Sequence, residues 1–279
     1  MNIDHFPQFG VLEDWAYGNH RVVQIAKLLR GVTGQKHRIT FDPLLCATHF
    51  GVEIRETELP PGVSGRLRID AACPRIEINR EDHRLRKRYT MCHELAHLSF
   101  QEEIPATPKE RADFDLVQLI PNVQKREEIF CNQIAAELLM PTQMFRRIAK
   151  TLDANFDGLS ALAEGFDVSI SASLQRIQRL AIWSVGRREW RIHGGEVETR
   201  RRQNPTIAGN IRRSRDKKDA QRQISQLLDK AESFIRQTFL RSHDACDEKS
   251  MRKYQHVLVC GTEVHFVKFK NVIHAFLIL

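Results

Sequence analysis

The stretch RYTMCHELAH, residues 88–97, decides how the first half of this 279-residue chain is read. On a helix, side chains four apart share a face, so His93 and His97 can each present an imidazole nitrogen to one metal ion. Glu94 is turned about 100° from His93; it does not share the ion but can reach a water held there. RYTMC before the motif and LSF after it make an apolar helix from about Leu85 to Phe100, at least half buried. Two histidines and a glutamate on such a helix need partners, and a metal supplies them. Zinc lowers the pKa of a bound water to about 7. A carboxylate beside that water can take its proton and pass it to a leaving amine, which makes Glu94 the candidate catalytic base.

A zinc peptidase needs a third protein ligand and an open fourth position. REEIFCNQIAAELLMP, residues 126–141, offers Glu127, Glu128 and Glu137. Its apolar face is expected to run through Ile129, Phe130, Ile134, Ala135 and Leu138. Glu128 lies one turn before Asn132, as ligand beside the residue that orients it. Glu127 is the fallback ligand. The expected cofactor is one Zn²⁺ per chain, another divalent metal being the alternative. An oxyanion donor is also required, and Tyr89 and His83 are near in sequence only. The other nine histidines show no metal spacing and read as structural.

Together, RYTMCHELAH and EIFCNQIAAELLMP resemble the ImmA/IrrE family of zinc metallopeptidases. The likeness extends upstream through a helix, a Gly-Val-x-Ile strand, V-S-G-R-L and I-x-I-N, and covers about residues 20–180. Ala96 departs from the glycine common in that position. The resemblance implies His93, His97 and Glu128 as zinc ligands and Glu94 as base. It also implies limited proteolysis of a DNA-binding repressor in a stress or mobile-element response.

The local patterns predict an α+β protein in three parts. Residues 1–142 form a zincin-like peptidase domain, with a small mixed sheet and zinc-binding helices. A helix is expected over 20–30 and a short one after Asp42-Pro43. Strands follow at 51–59, 65–70 and 74–79, with Pro60-Pro61-Gly62 as the turn between the first two. Residues 143–181 read as a helix-turn-helix-like module. Leu159, Leu162, Phe166 and Val168 would pack there against Leu174, Ile177 and Leu180. Contact with DNA would use Gln175, Arg176 and Arg179, and simple packing between domains is favoured instead. Residues 182–279 form a basic α/β domain: AIWSV and REWRIHG as a hairpin, a helix over 216–240, then strands in HVLVCG and EVHFVKF.

Charge sharpens the division. Residues 181–279 carry 20 Lys/Arg and 11 Asp/Glu, a balance of +9, while residues 1–180 carry 23 against 24. The basic excess, in Arg200 to Arg202 and in Arg212, Arg213, Arg215, Lys217 and Lys218, could meet nucleic acid or an acidic protein, or simply be solvated. Its last third could equally dock the substrate or sense a signal.

Apolar residues make up 42% and charged residues 28% of the chain, ordinary for a globular protein. No apolar run approaches the roughly 18 residues that span a bilayer. MNIDHFPQFG lacks the basic and apolar regions of a secretory signal, so a cytoplasmic location is expected. Six scattered cysteines without a CxxC pair read as reduced thiols. Cys92, beside the first histidine, reads as a buried inert thiol. The alternative function is a DNA-binding transcriptional regulator with a non-catalytic zinc domain.

Overall fold

The computed structural model describes residues 6–8, 19–69, 73–100, 122–193, 196–202, 205–207, 214–240, 253–259, 262–269 and 272–278. The chain divides into two compact units: Met1–Phe145 with Ala163–Ser169, and Arg146–Leu162 with Ile170–Leu279. Helices and sheets occur in both, an α+β architecture.

The first unit begins with α1 (Asn19–Val32), whose Val22, Ile25, Ala26 and Leu29 form one buried stripe. Arg30 is buried beside them; its guanidinium donates to the Leu138 carbonyl at 2.6 Å and stacks over the Phe41 ring. Asp42 caps α2 (Pro43–His49) by accepting from the Leu44 and Leu45 amides, with proline at the first turn as expected. Strands β1 (Glu53–Thr57), β2 (Gly65–Ile69) and β3 (Pro74–Asn79) follow. β3 is central, parallel to β1 and antiparallel to β2, so β2 is an edge strand. Ile54 and Leu67 both pair with Ile76, while Arg66 pairs with Glu77. One face is therefore apolar, with Ile76 and Ile78 fully buried. The other is charged, and there Arg66 Nε lies 2.5 Å from Glu77.

The apolar face is covered by α3 (Arg84–His97), which carries the HELAH motif and continues into a single 3₁₀ turn, Leu98–Phe100. His83, considered above as an oxyanion donor, is instead the N-cap of α3: its Nδ1 accepts from the Leu85 amide at 3.3 Å. The polar stretch from Glu102 to Pro108, whose two prolines read as a loop, lies outside the described residues. Next, α4 (Val123–Leu139) packs on α3 and α1. Phe130, Ile134, Ala135 and Leu138 are buried as expected, but Ile129 is 47% exposed and does not belong to the apolar face. The neighbours of α4 meet Phe130 and Cys131 instead, which turns Ile129 toward solvent.

Glu137 is buried and accepts from the Thr142 amide at 2.8 Å and the Thr142 hydroxyl at 2.7 Å. It thus caps α5 (Thr142–Ala149), a helix not read from the sequence because Pro141 seemed to end the regular structure. Helices α6 (Phe156–Gly165) and α7 (Ile170–Leu180) are joined by a tight turn in which Asp167 has φ +54°. Arg84 Nη1 donates to Asp167 at 2.6 Å, and Arg88 Nε stands 3.1 Å from the same carboxylate.

In the second unit the hairpin is placed differently from the expectation. Ala181 has φ +49° and ends α7, Trp183 and Ser184 are buried, and the strand starts only at Val185. The paired strands are β4 (Val185–His193) and β5 (Glu196–Arg202). After α8 (Ser214–Leu240) come three strands rather than two: β6 (Lys253–Val259), β7 (Thr262–Phe269) and β8 (Val272–Ile278). The antiparallel order is β5-β4-β8-β7-β6. β8 stands in the middle of that order, and its sequence VIHAFLI carries no polar alternation to mark it as a strand. Gly186 lets α8 lie on β4: a Cβ there would stand 2.1 Å from Ile224 Cγ2.

No helix among the described residues is long and apolar enough to cross a membrane.

Candidate metal centre

One turn of α3 separates His93 from His97, and both rings lean toward α4. Their Nε2 atoms are 3.2 Å apart. Glu128 reaches across from α4, placing Oε2 3.3 Å from His93 Nε2 and Oε1 3.4 Å from His97 Nε2. Nitrogen and oxygen ligands at about 2.0–2.1 Å in a tetrahedral arrangement stand about 3.3 Å from one another. The three measured spacings match that requirement, and two neutral imidazoles with a carboxylate are a donor set that zinc takes. These three residues could therefore hold a divalent metal ion.

Glu94 does not join them. It is 8% exposed and accepts a hydrogen bond from the Leu67 amide on β2. Burial raises its pKa, the Glu128 charge adds to this, and His97 and the Leu67 amide oppose it. Burial likewise lowers the pKa of His93, and the neighbouring His97 pushes the same way. His97 goes up: burial pulls it down, but the hydrogen bond to Glu127 and the charges of Glu94, Glu127 and Glu128 outweigh that.

Asn132 stands where the sequence placed it, one turn after Glu128. Its Nδ2 donates to the Glu128 carbonyl at 2.6 Å, and its Oδ1 accepts from the Tyr89 hydroxyl at 2.6 Å. Tyr89 also stacks beside His93, ring centroids 6.4 Å apart. Glu127, the fallback ligand, touches the other side of His97: Oε1 is 2.7 Å from Nδ1. These centres open into a cleft of about 900 Å³ lined by β2, the turn before it, α3 and α4. Gly65 brings β2 against α3, and Arg66 and Arg86 stand at the rim. Sequence reasoning missed the Leu67 amide, Gly65 and the place of Glu127. Only Gly65 left a signal, as a glycine at the start of a strand.

Residues 47–178 match the model of the IrrE N-terminal-like domain, peptidase family M78. That stretch is an IrrE N-terminal-like domain, of the ImmA/IrrE family. The IrrE-like region runs from within α2 into α7 and contains the whole cleft. No curated protein matches the chain. Among solved structures it is similar to a Mycobacterium tuberculosis transcriptional regulator, at 13% identity over 94% of this chain and 79% of that one, with a TM-score of 0.48.

Of the residues considered for DNA contact, Arg176 is 5% exposed, while Gln175 and Arg179 are exposed. Arg200 to Arg202 lie on β5, and Lys217 and Lys218 are exposed at the start of α8.

Proposed function

We propose that this chain is a zinc-dependent endopeptidase that makes a limited cut in a specific protein, a DNA-binding transcriptional repressor, within a stress or mobile-element response. The observation carrying the reading is the convergence of His93 Nε2, His97 Nε2 and the Glu128 carboxylate at 3.2–3.4 Å, with Glu94 buried beside them. The IrrE-like domain supports the reaction class.

In this reading His93, His97 and Glu128 hold the metal, and Asn132 steadies Glu128. A bound zinc supplies polarisation of the scissile carbonyl and activation of water for attack. The chain's own residues do the rest. The open edge of β2 offers backbone hydrogen bonds to an extended peptide lying along the cleft. The Glu94 carboxylate takes the proton of the attacking water and delivers it to the departing amide nitrogen. Its raised pKa suits a group that must hold that proton between the two steps. The Tyr89 hydroxyl lies at the cleft wall, but its proton is given to Asn132 Oδ1, and it would have to leave that acceptor to meet an oxyanion.

The alternative, a DNA-binding regulator with a non-catalytic metal domain, is weakened by the burial of Arg176. It would need the basic residues of the second unit to make the phosphate contacts.

The test compares cells expressing wild type with cells expressing Glu94→Gln, and maps new protein N-termini by mass spectrometry. The reading expects a small set of termini unique to wild type, within a DNA-binding protein. Identical terminal profiles in both cells, with both proteins zinc-loaded, would count against it.

A further inference from the structure

The two adjacent glutamates of α4 grip His97 from opposite sides. Glu128 faces Nε2 at 3.4 Å, whereas Glu127 lies 2.7 Å from Nδ1. A neutral imidazole carries its proton on one nitrogen only, and the partner of that nitrogen decides which one it is. A carboxylate against Nδ1 retains the proton there and leaves the Nε2 lone pair free. His93 differs: its Nδ1 is buried and has no hydrogen-bond partner among the described residues.

His97, Glu127 and the buried Cys131 also offer ligand atoms that lie within 4.8 Å of one another. A second metal in that group would need the same ring nitrogen that Glu127 already faces at hydrogen-bond distance. The close contact is the ordinary one between a ligand histidine and the carboxylate that orients it.

We propose that Glu127 is a positioning residue: it accepts the Nδ1–H of His97 and fixes the ring with Nε2 turned to the metal, while Glu128 is the ligand. This rests on the metal reading above and divides the labour of two neighbouring carboxylates. Glu127 neither touches the ion nor moves a proton. It sets the tautomer and orientation of one ligand. Because His93 lacks such a partner, the effect falls on His97 alone.

The experiment measures zinc affinity of the full chain by competition with a chromophoric chelator, for wild type, Glu127→Ala, Glu127→Gln, Glu128→Ala and His97→Ala. Circular dichroism of each metal-free form checks folding. Removing an orienting partner typically weakens metal binding about 10–100-fold, and that loss is expected for Glu127→Ala. Glu127→Gln should recover most of it, since an amide oxygen accepts the same N–H. Stoichiometry should stay at one zinc in both, and Glu128→Ala should lose far more. Unchanged affinity in a folded Glu127→Ala would overturn the proposal. So would loss of the zinc in Glu127→Gln together with its retention in Glu128→Ala, which would make Glu127 the ligand. Undiminished zinc in His97→Ala would instead overturn the metal reading itself.

Discussion

Gly65 on β2 and Thr90 on α3 approach so closely that a Cβ on Gly65 would stand 2.4 Å from Thr90 Cγ2. The lining of the cleft depends on that contact, because β2 brings the Leu67 amide to Glu94 two residues beyond its own glycine-to-helix contact. Gly65→Ala should destabilise the chain by about 1–3 kcal/mol, the usual cost of forcing a methyl into a packed interface. It should also reduce cleavage while zinc stays bound. Removing the obstructing methyl with Thr90→Ser in the same chain should restore much of the melting temperature; an additive double variant would show that the clash is elsewhere.

Acid should loosen the turn between α6 and α7. The Arg84 hydrogen bond, aided by the charges of Arg88 and Arg84, holds Asp167 below the usual carboxylate range. A folded-state pKa below the unfolded value of about 3.9 gives stability that is complete above that value and disappears as pH falls through the folded one. Each exposed ion pair is worth about 0.2–1 kcal/mol. Asp167→Asn keeps a side chain that tolerates φ +54° but removes the charge. Below about pH 4, wild type should lose melting temperature more steeply than this variant. Parallel curves would remove Asp167 from the acid response.

Glu137 offers a test of stability apart from chemistry. Truncation to alanine leaves the Thr142 amide and hydroxyl without their acceptor at the start of α5. The expected loss is about 1–3 kcal/mol, read as a drop in denaturation midpoint. Zinc content should be unchanged, and loss of the metal would place Glu137 closer to the site than its contacts suggest.

Thiol reactivity should separate sharply by position. Cys46, Cys92 and Cys131 are buried, and burial pushes all three thiols up, Cys46 to about 12. Cys73 is exposed. Brief alkylation of the native chain, read by peptide mass spectrometry, should label Cys73 well ahead of these three. Early labelling of Cys92 would instead make α3 a redox-sensitive element.

The centre of the site was legible because its information is local. HELAH needs only one helical turn to bring His93 and His97 together, and Glu128 was reached from its place one turn before Asn132. The contact of Glu127 with His97 was not legible, because the two residues lie 30 apart in sequence, across a helix interface. Ile129 looked like a core residue from its type alone, and its neighbours Phe130 and Cys131 took the buried side. The first sheet alternates visibly because its outer face is charged, so its three strands could be read. β8 could not be read, since VIHAFLI leaves no polar period to follow. Arg176 illustrates the same limit: its spacing suited a reading helix, but α7 turns it inward.

The central claim is tested most directly by metal content, measured after zinc loading and desalting in wild type, Glu94→Gln, His97→Ala and Glu128→Ala. The account predicts about one zinc per chain in wild type and Glu94→Gln, and its loss or sharp reduction in the other two. No zinc in the wild type, or a full complement in Glu128→Ala, would contradict it.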